Sequence, residues 1–379
     1  MRRGIGIGAF VLLLVCACGK SRRVMEVSSS GEGSGFHPVE LDCEPSGPPR
    51  RFEIPARTAA LEEVATLSKV PQAFAADRRA VYWIDDLHAV RRAERSMVTG
   101  WNVQELAREE EQILDLAVTA GRVYWTTTRS GKHFTLHARS KETGERWVQE
   151  VEWPAMSKLA VHDGSVVWLS ERGLRDVDDE MRASWTYGIP MRDGDPLRAV
   201  LAVDRARVFA LLPLGIYAVE RGRQEPPRRL SQGVTAVAAA TDGRFLYWLE
   251  RGESSEALEE CRPCSMGYRT PEPKRRVYRQ GRLRRLPATG AASEGSGSEA
   301  SEPEVLVGDL PEPQGLVIDD GVAWISTSEG LLRLDLSARG ARPVLVAPDA
   351  RGDGRLFRVG GALALAAGDP RPRIVLAAP

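Results

Sequence analysis

Two cysteines three residues apart, Cys261 and Cys264 in the run Cys-Arg-Pro-Cys, carry the spacing in this 379-residue chain that most directly suggests chemistry. Such a pair serves as a redox dithiol, half of a zinc site, a haem attachment or a short disulfide. Haem attachment needs His after the second Cys, and Ser265 stands there. Structural zinc needs four ligands, and neither a second Cys pair nor a nearby His is in the sequence. A redox dithiol takes its low thiol pKa from a helix N-terminus in a βαβ setting, whereas the flanking residues read as a loop between strands. The expectation is a stapling disulfide between Cys261 and Cys264, of the kind that persists in an oxidising compartment. Cys43 is then left over, or competes for one of the pair.

Histidine offers less. His133 and His137 are four apart, and on a strand that spacing separates them by about 13 Å, which suits no single metal. The five His otherwise scatter, with no carboxylates gathered beside them. No Gly-x-Ser-x-Gly stands on a strand-to-helix turn, so no nucleophile elbow is expected. No catalytic, cofactor-binding or metal-ligating residue is assigned, and no cofactor. The densest charge is Lys274, Arg275, Arg276, Arg279 and Arg282, followed by Arg284 and Arg285. This run could hold a polyanion such as a lipid A phosphate or an acidic polysaccharide; the alternative is a solvated strand offset by Glu253, Glu256, Glu259 and Glu260. Over the whole chain 52 basic residues balance 52 acidic ones, which is not the basic excess of a nucleic-acid binder.

The elements that would position these groups announce themselves by repetition. A short apolar run, a polar turn and an apolar strand centred on Trp or a stand-in recur seven times. Leu116-Ala117-Val118 leads to Val123-Tyr124-Trp125, and Leu159-Ala160-Val161 to Val166-Val167-Trp168. The other central positions are Trp83, Ala210, Trp248, Trp324 and, in an eroded last copy, Ala364. The steps are 42, 43, 42, 38, 76 and 40 residues. A period of about 40 filled with short strands is the pattern of a β-propeller, in which each repeat is one four-stranded antiparallel blade. The Val-Tyr-Trp strands are apolar at odd and even positions alike, as strands buried on both faces are. Leu331 to Leu336 alternates, which suits a strand near the rim. Asp163-Gly164, Asp242-Gly243 and Asp319-Asp320-Gly321 supply the tight turns. The repeated Trp residues are expected to fill the gaps between blades.

The sequence therefore predicts an all-β, seven-bladed propeller over residues 53–379. The last repeat has only three strands before Pro379, so residues 61–67 are expected to complete it from the N-terminal side, because an open ring would leave edges that invite aggregation. The 76-residue step is read as one blade with insertions at 252–277 and 288–303, the second rich in Ser, Gly and Glu.

The N-terminus is equally specific. Arg2 and Arg3 precede an apolar stretch, Gly4 to Val15, too short to span a bilayer comfortably. Val15-Cys16-Ala17-Cys18-Gly19 then resembles the lipobox of bacterial lipoproteins. The resemblance implies a signal peptide over residues 1–17, lipid on Cys18 and a membrane anchor held by more than one acyl chain. Gly19 stands where Asp would retain such a protein at the inner membrane, which favours the outer membrane. Residues 18–52, with Ser28 to Ser34 and Pro45 to Pro49, read as a flexible tether.

With its Val-Tyr-Trp repeats, the head resembles the propellers of many bacterial envelope lipoproteins of the quinoprotein and YWTD-like group. Leu136 to Trp147, with the turn Thr143-Gly144 and Trp147, is similar to one quinoprotein-like blade, in which that Trp docks the next blade; no quinone is implied. In propellers of known fold, loops after the second strand share a face with the blade-to-blade connections, so the Cys261 loop is expected at one channel mouth. The implied function is non-enzymatic: a monomeric head presenting a propeller face to a protein or glycan partner. The alternative is a periplasmic lyase or hydrolase, which would gather His, Asp or Glu at the channel mouth. The candidates for that are only scattered carboxylates such as Asp77, Asp204 and Asp319.

Overall fold

Each apolar run pairs with its Trp-bearing strand at one fixed interval. Phe74 lies opposite Trp83, Leu116 opposite Trp125, Leu201 opposite Ala210, Ala239 opposite Trp248, Leu316 opposite Ile325 and Leu356 opposite Leu365. The partners are nine residues apart every time. The computed structural model describes residues 58–378 apart from short loops and the segments 257–275 and 289–301, together with Phe52 and two short N-terminal strands. In it these hairpins grow into seven four-stranded antiparallel sheets, a seven-bladed β-propeller. Blades 1 to 6 span residues 74–108, 112–151, 160–187, 200–232, 236–310 and 315–347; blade 7 is Gly352–Val359, Ala362–Ala367, Arg373–Ala377 and Leu61–Thr66. The one departure from all-β among the described residues is a single helical turn, Asp195–Arg198, between blades 3 and 4.

The core is a set of seven seams between neighbouring blades. Val123 and Trp125 face blade 1 while Tyr124 faces blade 3, so the strand is buried on both sides, as its unbroken apolar run requires. Trp168, Trp248 and Trp83 fill the seams between blades 2 and 3, 4 and 5, and 7 and 1. Trp147 packs into the seam with blade 3. Blades 6 and 7 correct the sequence alignment. Trp324 lies eight residues after Leu316, not nine, and one residue of offset turns a strand side chain to the other face. Trp324 therefore packs towards blade 7, and Ile325 takes the place held elsewhere by Trp. In blade 7 Ala364 likewise faces blade 1, and Leu365 faces blade 6. The alternating Leu331 to Leu336 belongs to a third strand with Leu331, Leu332 and Leu334 buried, and not to the rim.

The turns have the chemistry they need. Asp163 and Gly164 have φ of 41° and 87°, and Asp320 and Gly321 of 47° and 73°, the paired positive angles of a two-residue hairpin. Asp77 and Asp242 each accept two backbone N–H bonds within their turns and the hydroxyl of a Tyr five residues on, Tyr82 at 3.1 Å and Tyr247 at 3.0 Å. Burial, then Asp242, pushes the Tyr247 hydroxyl up to about 12.

The ring closes where the sequence places the closure. Leu61 pairs with Ala377 and Thr66 with Arg373, Val64 is buried between blades 7 and 1, and Trp101 of blade 1 donates to Glu62 at 3.0 Å. Upstream, Phe52 is buried in the seam between blades 5 and 6, and Ala59 N–H bonds Val346 at the outer strand of blade 6. A second unit comprises residues 1–51 and 254–277. In it Arg22–Val24 pairs with Val39–Leu41, and Ser254–Glu256 pairs with Arg276–Tyr278 within the first insertion.

Two outcomes follow from the seams and the closure. Trp168→Ala should lose about 3–5 kcal/mol of stability by urea unfolding, and Ile325→Ala about 2–5 kcal/mol, because both empty a seam. Removing residues up to Leu67 should abolish the single cooperative transition and produce oligomers on size exclusion, since Arg373–Ala377 becomes an open edge.

Candidate functional site

The inner strands run in the same direction, and together they enclose a central cavity of about 350 Å³. Phe74, Leu116, Val161, Leu201, Leu316 and Phe357 are among the lining residues, and the wall presents polar and apolar surface in about equal measure. Polar side chains come from the ends of strands that meet on one face: Gln72, Lys158 and Gln314 just before the inner strands of blades 1, 3 and 6, Arg251 just after the second strand of blade 5, and Arg355 in the inner strand of blade 7. That is the face of the blade-to-blade connections.

The cations converge on one carboxylate. Arg355 Nη2 lies 2.9 Å from Asp115, reaching past blade 1 to blade 2, and Asp115 also accepts the Leu159 N–H of blade 3 at 2.6 Å. Asp115 is only 4% exposed; one buried carboxylate thus joins blades 7, 2 and 3, with its charge offset by a guanidinium and an amide. Lys158 is open to solvent yet ringed by protein. Removal of bulk water by the surrounding wall, then the Arg355 charge, lowers its amine below the usual 10.5, and Asp115 offsets only part of that shift. Among the described residues no carboxylate lies within ion-pair distance of the Lys158 amine.

Elsewhere, the carboxylates singled out from the sequence serve the fold. Asp77, Asp204 and Asp319 lie at turns between first and second strands, on the face opposite Lys158. Asp204 accepts the Ala206 and Arg207 N–H groups, and Asp319 pairs with Arg358 of the next blade. No group of three His, Cys, Asp or Glu able to hold a metal occurs among the described residues. His133 is exposed and His137 buried. His137 stacks on Trp125 with ring centroids 5.4 Å apart, bonds Thr127 at 3.0 Å and sits beside Arg146, which pairs with Glu109. Burial lowers its pKa; it is a packed seam residue.

Of the basic run, Arg282 is exposed on the third strand of blade 5, and Arg276 lies in Arg276–Tyr278. Arg284 and Arg285 pair with Glu250 at 3.0 Å and Glu304 at 2.7 Å. Cys18, Cys43, Cys261, Cys264, Lys274, Arg275 and Arg279 lie outside the described residues. Sequence reasoning missed Asp115, Lys158, Arg251 and Arg355, which are far apart in the chain and match no motif. The only signal was position within the repeat: Asp115, Lys158 and Arg355 stand ten residues before Trp125, Trp168 and Leu365.

The Lys158 amine gives a pH dependence with a definite sign. Its folded pKa is below the unfolded 10.5, so its charge opposes folding at neutral pH, and that cost vanishes as pH rises towards 10.5. Lys158→Met should therefore melt about 1 °C higher than the parent at neutral pH, a small effect because the group is solvent-open. The gap should close in alkaline buffer, as thermal unfolding at a series of pH values will read.

No protein-family model matches the chain, and no curated protein matches it in sequence. Solved structures resemble it in fold. The WD40 β-propeller domain of Doa1 superposes with a TM-score of 0.55 at 10% identity, over 84% of this chain and 97% of that one. BamB from Moraxella catarrhalis gives 0.51 at 14% identity, over 84% and 100%. PorZ of Porphyromonas gingivalis, a bacterial surface component of the type-IX secretion system, gives 0.52 at 11% identity over 83% of this chain, which spans only 38% of PorZ. At these identities the likeness is one of architecture, and it places the chain among the β-propellers.

Proposed function

We propose that this protein is a lipid-anchored binding platform of the bacterial envelope, without a catalytic centre, that presents the channel-mouth face of its propeller to an acidic protein or glycan partner. The observation that carries this reading is the mouth itself: Lys158, Arg251 and Arg355 meet there around one carboxylate that is committed to Arg355 and the Leu159 N–H. A cleft lined by one sign of charge concentrates its field and draws partners of the other sign. The opposite face is built from turns whose carboxylates are occupied by their own backbone. The Cys18 motif supplies the anchor and Gly19 favours the outer membrane.

Cys18→Ala should move the protein from the outer-membrane fraction to the soluble periplasmic fraction and abolish labelling by radioactive palmitate; unchanged fractionation would remove the anchor from the reading. Photo-crosslinkers at Gln72 and Gln314 should give a discrete adduct in whole cells, and crosslinkers at Arg205 and Asp320 on the other face should not. Equal adducts from both faces would defeat the platform.

A further inference from the structure

We infer that His137 is the trigger of an acid-operated latch: a proton arriving on its Nδ1 evicts the Arg146 guanidinium and frees the outer strand of blade 2 from the linker that joins blades 1 and 2. The inference is independent of the platform reading, because it stands on hydrogen bonds inside one seam.

The hydrogen bonds hold the imidazole in one form. Thr127 donates its hydroxyl to the Glu111 carboxylate at 3.0 Å, so the same oxygen must accept from His137 Nε2, also 3.0 Å away. Nε2 therefore carries the ring proton, and the bare Nδ1 accepts from Arg146 Nη2 at 3.0 Å, a group that stays charged and only donates. That leaves no place for a second proton. On Nδ1 it would meet the guanidinium donor to donor, with like charges in contact, so one of the two must leave. Arg146 is the one that can: its side chain is 44% exposed, whereas His137 is 6% exposed and stacked on Trp125. Its exit leaves a partner behind, because the same Nη2 also holds Glu109, whose two oxygens lie 2.6 Å and 2.7 Å from it. Glu109, still held by the Trp125 indole N–H at 3.0 Å, then exchanges a guanidinium for an imidazolium. The charges that bear on the ring are Glu109 and Glu111 of the linker and Arg146 of the outer strand. Arg139, next on the same face of the same strand, is turned to the Leu106 carbonyl, and on the outer strand of blade 1 Glu105 and Arg108 pair with each other. Burial above all, opposed by Glu109 and reinforced by Arg146, holds the imidazole below its usual 6.5, so the latch is shut at neutral pH and opens in acid. His88 sets a contrast: its Nδ1 meets the Glu111 backbone carbonyl at 3.2 Å, a bond that ring protonation leaves intact. The linker continues into Gln112–Val118, the inner strand that carries Asp115, so the latch anchors the strand on which the Arg355 contact depends.

The test is a pH titration of the full-length chain by NMR, following the imidazole nitrogens of its five His, with His137 assigned by its loss from His137→Gln. At neutral pH His137 should show the Nε2–H tautomer, and on acidification it should titrate below 6.5. The Arg146 guanidinium signal, assigned by its loss from Arg146→Met, should shift with the same midpoint. In Arg146→Met the His137 midpoint should rise by about one pH unit, the effect of removing one adjacent like charge, and Arg282→Gln, on blade 5, should leave it where it is. The inference is overturned if His137 is the Nδ1–H tautomer at neutral pH, if its midpoint lies at or above 6.5, or if the Arg146 signal does not follow it. It is overturned equally if Arg146→Met does not raise the midpoint, if Arg282→Gln raises it as much, or if near-ultraviolet circular dichroism shows the ring unfolding before the imidazole charges.

Discussion

Every feature of this protein depends on the burial of each blade's two faces against its neighbours. A single four-stranded sheet such as residues 160–187 is too thin to protect Val166, Val167, Trp168 and Leu169; only blades 2 and 4, one on each side, hide all four. The stabilisation is therefore shared between repeats, and no blade is stable by itself. The same constraint explains why the chain returns to its start. If Leu61–Thr66 did not pair with Arg373–Ala377, blade 7 would end on an open edge and the seam containing Trp83 and Val64 would face water.

Closing the ring also creates the channel. Seven inner strands, all starting on the same face, bring residues from opposite ends of the chain to one mouth: Arg355 meets Asp115, 240 positions away. The inner strands bring runs of Ala, Val and Leu to the channel, while the mouth takes side chains from at or just before the inner strands and, in blade 5, from just after the second strand. Three of those groups are cationic, which concentrates positive charge in a protein whose overall formal charge is zero. The buried Asp115 shows how the fold tolerates a charge there, by surrounding it with Arg355 and a backbone amide instead of solvent.

The remaining polar groups are distributed by the same geometry. Turns between first and second strands lie on the other face, and their Asp residues hold backbone N–H groups and Tyr hydroxyls, so the conspicuous carboxylates of the sequence turn out to be parts of hairpins. Histidine follows suit: His137 lies flat against Trp125, held between Thr127 and Arg146.

The sequence by itself determined the number of blades, the nature of their strands, the hairpin turns and the closure by residues near 61–67. All of these follow from local pattern: apolar runs at a 40-residue period, Asp-Gly at positive φ, and a last repeat one strand short. It also contained, unread, the register of blade 6, since the nine-residue interval from Leu316 falls on Ile325 and not on Trp324. Only the tertiary structure decided what meets at the channel mouth. Asp115, Lys158 and Arg355 share one place in the repeat, ten residues before Trp125, Trp168 and Leu365, but that spacing does not say that they meet each other and Arg251, whose proximity is a product of ring closure across hundreds of residues.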